Sequence, residues 1–155
     1  MKNRAMSKSN QVSCDLIAEE LKRFQGTWKQ IAYERDGVKE PFDEQGWDPI
    51  TTFTGEQFVV TLADGSIPIR GTYRINPARN PKTVDWADTI GEDAGKTLLA
   101  IYAFQEDRLT FCAAYPGLER PAAFGTRPGQ VLRVLQRTTR ARKVDEVTHD
   151  RNRKP

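Results

Sequence analysis

Phe24-Gln25-Gly26-Thr27-Trp28 is the stretch on which the fold turns. It closes a short amphipathic segment and opens a run of strand-like segments that ends near Arg137. Gly26-x-Trp28 sets a large ring at the start of the first strand. Such a ring is expected to close one end of a sheet by packing over it.

Forward of Trp28, residues 27–35 read as a strand that stops at Asp36-Gly37. Residues 41–49 form a loop that carries Trp47. Segments 51–53 and 57–62 flank Thr54-Gly55-Glu56 as a hairpin. Ala63-Asp64-Gly65 turns the chain into 67–75, where polar and apolar residues alternate with the period of a strand. Asn76-Pro77 and Asn80-Pro81 bracket the next connection, and 82–87 alternates again. Segments 97–104, 108–115 and 131–137 complete about eight strands.

No long helix lies between strands, which argues against a parallel sheet. An antiparallel meander of this size leaves two edges unless it closes, and closure removes them. The expected architecture is all-β, an antiparallel up-and-down barrel.

Behind Phe24 the periodicity changes. Leu16, Ile17, Leu21 and Phe24 fall on one helical face, with Ser13 or Asp15 available as a cap. A short N-terminal helix is expected there, suited to plug one end of the barrel. Residues 1–13 read as a polar, disordered leader, 14–137 as the barrel domain and 138–155 as a basic, disordered tail.

The chain has 155 residues, a formal net charge of +3 and 37% hydrophobic content, which suits one domain with polar ends. Arg133, Arg137, Arg140, Arg142, Lys143, Arg151, Arg153 and Lys154 place the basic excess at the C-terminal end. That region lacks interleaved aromatics for base stacking, so nucleic acid is not an expected partner. No stretch approaches the roughly 20 apolar residues of a membrane span. The first residues carry charges but no apolar core behind them, so a cytoplasmic location is expected.

Several chemistries are excluded at this point. The single histidine, His149, sits among Asp150, Arg151 and Arg153 in the polar tail, so histidine triads and His-based metal sites have no ligand in the barrel. There is no glycine-rich phosphate loop and no Gly-x-Ser-x-Gly. No metal and no cofactor is expected. Cys14 lies in the polar leader region and Cys112 in an apolar strand, so a bridge between them is not expected and Cys112 reads as a packing residue.

Alternation sends Tyr73, Trp86 and Phe111 to the inner side of the sheet. Tyr102 lies in a segment apolar on both faces and joins them as a candidate. Arg120, in the loop before the last strand, is a candidate for holding an anion at the barrel mouth through a bidentate contact. Tyr73, Trp86, Tyr102, Phe111 and Arg120 are therefore the candidate ligand-binding residues. Glu34, Asp36, Glu56, Asp85 and Glu92 are the carboxylates weighed for catalysis, and none falls on an inner apolar face. No catalytic residue is assigned. Arg74 and Asp85 are suited to a cross-strand surface pair.

Six segments carry a likeness to a known family: Leu21-Lys-Arg-Phe-Gln-Gly-Thr-Trp28, Gly71-Thr-Tyr-Arg-Ile-Asn-Pro77, Asn80-Pro-Lys-Thr-Val-Asp85, Gly95-Lys-Thr-Leu-Leu-Ala-Ile-Tyr102, Leu109-Thr-Phe-Cys112, and Arg120-Pro121 through Phe124 to Pro128-Gly129. In this order they resemble a family of small lipocalin-like domains abundant in planctomycete bacteria. The resemblance implies a lipocalin-like barrel. It supplies no catalytic residues and hence no particular chemistry.

Three functions stay open on this reading. The first is a barrel that binds a small apolar or aromatic molecule. The second is an enzyme of cyclase or isomerase type that uses the same cavity without metal or histidine. The third is an interaction module whose interior is filled by its own side chains.

Overall fold

The computed structural model describes residues 8–39 and 48–139. His149, Trp47 and the basic tail beyond residue 139 lie outside them. The chain begins with α1 (Lys8–Phe24) and continues as β1 (Gly26–Arg35), β2 (Val38–Lys39), β3 (Ile50–Thr54), β4 (Gln57–Thr61), β5 (Ile69–Asn76), β6 (Lys82–Ile90), β7 (Thr97–Gln105), β8 (Arg108–Ala114) and β9 (Gln130–Thr138). From β3 to β9 every strand pairs antiparallel with the next, and β1 pairs with both β3 and β9. The last contact closes the meander into an eight-stranded antiparallel barrel. β2 is a short extra strand on β1, formed where Asp36-Gly37 turns the chain with both residues at positive φ.

Three boundaries differ from the sequence reading. α1 begins at Lys8 and takes in residues expected in the leader, because its first turns carry no apolar stripe that would mark them. β2 was not foreseen, being only 2 residues long. β6 runs to Ile90, three residues past the expected end at Ala87. That extension places Asp88 on a strand, which matters below.

α1 plugs one end of the barrel, as its spacing predicts. Phe24 is completely buried, with its ring centroid 5.4, 5.3, 5.1 and 5.0 Å from Phe53, Tyr73, Tyr102 and Phe104. Three edge-to-face contacts and one tilted contact on one ring tie the helix end to several strands at once. Trp28, also fully buried, donates from Nε1 to the Phe24 carbonyl at 2.8 Å. Arg137 completes the seal. It donates to the carbonyls of Arg23 at 2.7 Å and Gln25 at 2.8 Å and lies 4.3 Å over Trp28. A cation at a helix C-terminus satisfies carbonyls that have no intrahelical partner. Arg137 is thus part of the sealed end of the barrel.

The other end is formed by the β4–β5, β6–β7 and β8–β9 connections. The β8–β9 connection, residues 115–129, does not cover this mouth alone. It runs back over the outer wall, where Arg120 pairs with Asp85 at 2.7 Å and Thr126 donates to Glu34 at 2.6 Å. Beneath it Ile101 and Cys112 are buried although their strand positions face outward. Burial pushes the Cys112 thiol up to about 11, so it stays protonated and inert. Cys14 and Cys112 are both free.

Candidate functional site

Strand parity divides the inner surface into two zones. Towards α1 the inward residues are large and sealed: Leu109 and Leu135 pack with the Phe24 and Trp28 cluster. Towards the loop end the inward residues change character. Gly71, Ala100 and Ala113 are small, while Val60, Ile69, Leu98 and Phe111 are only half-buried although they point inward. Inward side chains at this end are thus less completely covered than those at the α1 end, although Phe58, Asp88, Ala113 and Val131 among them are buried. The region they border is termed the upper chamber.

Trp86 and Phe111 form the floor, with ring centroids 4.8 Å apart. Below them Trp86 rests on Phe53, Phe58 and Tyr73 at 6.0, 5.3 and 5.7 Å. The Trp86 indole N–H is buried and has no acceptor among the described residues. Buried donors are almost always paired, so an acceptor supplied by a ligand or a water would be favoured here.

Arg133 enters the chamber from β9. Its Cα faces Phe111 on one side and Tyr33 on the other, and its guanidinium donates to Gln30 Oε1 at 2.9 Å. The guanidinium also lies 4.5 Å over the Tyr33 ring. Tyr33 reaches this position because of a bulge in β1. Pairing to β9 shifts between Gln30 and Ala32, so the chain that turned Trp28 and Gln30 inward next turns Tyr33 and Arg35 inward. Burial pulls the Arg133 pKa down from its ordinary range, and Arg35 adds like-charge repulsion. The side chain stays cationic, as an arginine does.

Asp88 faces the chamber from β6, two residues beyond Trp86, and is 8% exposed. Burial, with help from the charge of Asp93, pushes its carboxyl up to about 6, and Arg133 pulls in the other direction. This is the inward, apolar carboxylate that sequence reasoning did not find. It was hidden because β6 was ended at Ala87.

The linkage has a definite sign. In the unfolded chain an aspartate titrates near about 3.9. Between that value and about 6 the native state holds a proton that the unfolded state has lost. The Asp88 contribution to stability therefore falls as pH rises through this window. Asp88→Asn should remove that slope and stabilise the protein near neutral pH by on the order of 2 kcal/mol. Urea unfolding of both forms between pH 4 and 7 checks it. A stability difference that stays flat with pH would show that Asp88 is well solvated.

The five sequence candidates separate. Trp86 and Phe111 meet at the chamber floor. Tyr73 and Tyr102 are buried further down and their hydroxyls are spent on the plug. Tyr73 donates to the Gly55 carbonyl at 2.6 Å, within a clip in which Gln25 holds the Gly55 N–H at 2.7 Å. Burial pushes the Tyr73 phenol up to about 12. Tyr102 donates to Glu20 at 2.9 Å, and the same carboxylate receives Lys82 at 2.8 Å. Burial, and then Glu20 itself, hold the Tyr102 phenol well above its usual range.

Arg120 is not at the mouth. Its guanidinium is held on the outer wall by Asp85 and by the Ala100 carbonyl at 2.9 Å. Asp85 does stand opposite Arg74 in register, yet its short ion pair is with Arg120. The half-buried inward arginine is Arg133, which the sequence reading put in the last strand but counted with the C-terminal basic excess. Its signal was present: Val131, Arg133 and Leu135 share one strand face, and a charge between two core residues is unusual.

One further depression, of about 850 Å³, lies on the outer wall of β5 and β6 beside the 54–57 hairpin. It is open to solvent and lined by outward residues such as Thr72, Arg74 and Ala87, so it lies apart from the chamber. Among the described residues no group of His, Cys, Asp or Glu is arranged to hold a metal ion, and no helix is long and apolar enough to cross a membrane.

No protein family model matches the chain, and no curated protein does. Among solved structures it is similar to apocrustacyanin C2, at 14% identity and a TM-score of 0.41, over 92% of this chain and 74% of that chain. A likeness at that level carries no argument about ligand or mechanism. The closed strand pairing by itself defines an antiparallel, lipocalin-like barrel with an N-terminal helix.

Proposed function

We propose that the protein binds one small apolar or aromatic molecule in the upper chamber of its barrel. The observation that supports this best is the gradient of burial along the inward faces. The same strands that seal the lower half around Phe24 present half-buried Leu98, Ile69 and Phe111 above it. A chamber with apolar walls and a few convergent polar groups is the usual form of a small-molecule site. The likeness of the sequence motifs to lipocalin-like domains agrees with a barrel and leaves the choice of ligand to these side chains.

Native mass spectrometry of protein purified from its own host tests the reading, through a co-purified small molecule. Titration with aromatic compounds gives a second test, because Trp86 lies on the floor and its fluorescence should change when covered. Phe111→Ala widens the floor beside Trp86. It should shift preference towards bulkier ligands while the sealed lower half keeps the barrel folded. If no compound changes either fluorescence or melting temperature, the chamber is not a binding site.

Asp88 favours a second reading, an isomerase. A carboxylate that titrates near about 6 in an apolar chamber is suited to take a proton from carbon and return it at another position. Such a transfer is redox-neutral and needs only Asp88 as the carrier. Chromatography of the co-purified molecule after incubation separates the readings. Conversion lost in Asp88→Asn supports catalysis, and unchanged material supports binding alone.

A further inference from the structure

We propose that the chamber selects an aromatic monocarboxylate, with its carboxylate on the edge of the Arg133 guanidinium turned away from Gln30 and its ring on the Trp86–Phe111 floor. The inference rests on the reading of the upper barrel as a ligand site and names the class of ligand.

Four observations carry it. Arg133 is fixed before any ligand arrives, by the 2.9 Å bond to Gln30 and by stacking 4.5 Å over Tyr33. A pre-oriented guanidinium presents a planar fork that matches a planar carboxylate and loses little freedom on binding. Next, Arg35 approaches the same ring, 5.9 Å from Tyr33, so a second guanidinium adds positive charge near Arg133.

Charge also sets the upper limit. Asp88, which already feels the charge of Arg133, faces the chamber from β6, Asp93 in the following loop acts on it by charge, and Asp36 lies beside the mouth, where it accepts the Gly129 N–H at 2.8 Å. These carboxylates oppose a dianion such as a phosphate monoester and tolerate a single negative charge. Last, the Trp86 N–H is buried without an acceptor among the described residues, so the ring end of the ligand is offered one hydrogen bond. A ring oxygen would use it, while the flat face covers Phe111.

Isothermal titration calorimetry with 1-naphthoate and 1-naphthamide tests the proposal, since the two share a ring and differ in charge. The native protein should bind the carboxylate about tenfold or more tighter than the amide, as a charged hydrogen bond in a half-buried site allows. Arg133→Met should bring naphthoate down to the affinity of the amide and leave the amide within about threefold. Arg133→Lys keeps the charge, loses the fork and should fall between the two. Arg120→Gln, on the outer wall, should leave both affinities as they are. Equal binding of acid and amide by the native protein would overturn the carboxylate assignment while leaving the chamber as a site. Equal losses for both probes in Arg133→Met would do the same. Binding of neither probe, with no change in Trp86 fluorescence for any aromatic compound, would instead remove the chamber reading itself.

Discussion

Trp28→Ala should cost about 3–5 kcal/mol of folding stability and lower the melting temperature by on the order of 10 °C. The side chain is completely buried and meets three different elements. Its Nε1 holds the last carbonyl of α1 at 2.8 Å, its ring lies 6.0 Å from Phe104, and Arg137 covers its outer face at 4.3 Å. Alanine leaves a cavity that rigid strand walls cannot close, and it leaves the Phe24 carbonyl short of a donor. Trp28→Phe keeps most of the volume but loses the hydrogen bond and one fused ring, so its cost should be nearer about 1–3 kcal/mol. Urea unfolding of the two variants separates packing from hydrogen bonding. A loss under about 1 kcal/mol in Trp28→Ala would mean that the plug holds without the ring.

The plug was legible in the sequence because its parts lie close together. Phe24, Gly26 and Trp28 fall within five residues, and the helical spacing of Leu21 and Phe24 gives way directly to a strand. The strands were legible too, since alternation and Asp-Gly or Asn-Pro turns are local signals. The chamber was not, and each omission has a physical cause. Alternation tells which residues share a face but not which end of the barrel they occupy. Tyr73, Trp86 and Phe111 were expected on the inner face and Tyr102 could not be placed by pattern, yet Tyr73 and Tyr102 both belong to the sealed half. The β1 bulge reverses parity, which hides Tyr33 and Arg35 from any count by twos. Arg120 was assigned to the mouth because loops are expected at barrel ends. The 115–129 segment is long enough to return along the wall, where Asp85 and Glu34 hold it. Arg133 was lost to an average, since eight basic residues near the C-terminus read as one charge run.

The β5–β6 seam is where the chamber wall is least able to yield. Gly71 stands opposite Asp88, at the point where the register shifts beside Arg70. A Cβ added there would meet the Ala87 carbonyl oxygen at 2.1 Å and the Asp88 Cα at 2.9 Å. Both are backbone atoms, so no side-chain rotation relieves the clash, and the two strands must part. Gly71→Ala should therefore cost about 3 kcal/mol or more, at the upper end of overpacking penalties. Gly125→Ala is the matched control. It meets nothing within 4 Å and is not among the positive-φ glycines, so it should stay within about 0.5 kcal/mol of the native protein. The two losses, measured by chemical unfolding, should differ by about the full clash energy. The functional consequence follows from the same geometry. Parting the seam moves Asp88 relative to Trp86, since both lie on β6 and the wall pivots at Gly71. Any Gly71→Ala protein that still folds should bind aromatic probes more weakly than native protein. If Gly71→Ala is as stable as Gly125→Ala, the strands separate freely at the bulge. The chamber would then be shaped by its ligand rather than by the closed pairing of β5 and β6.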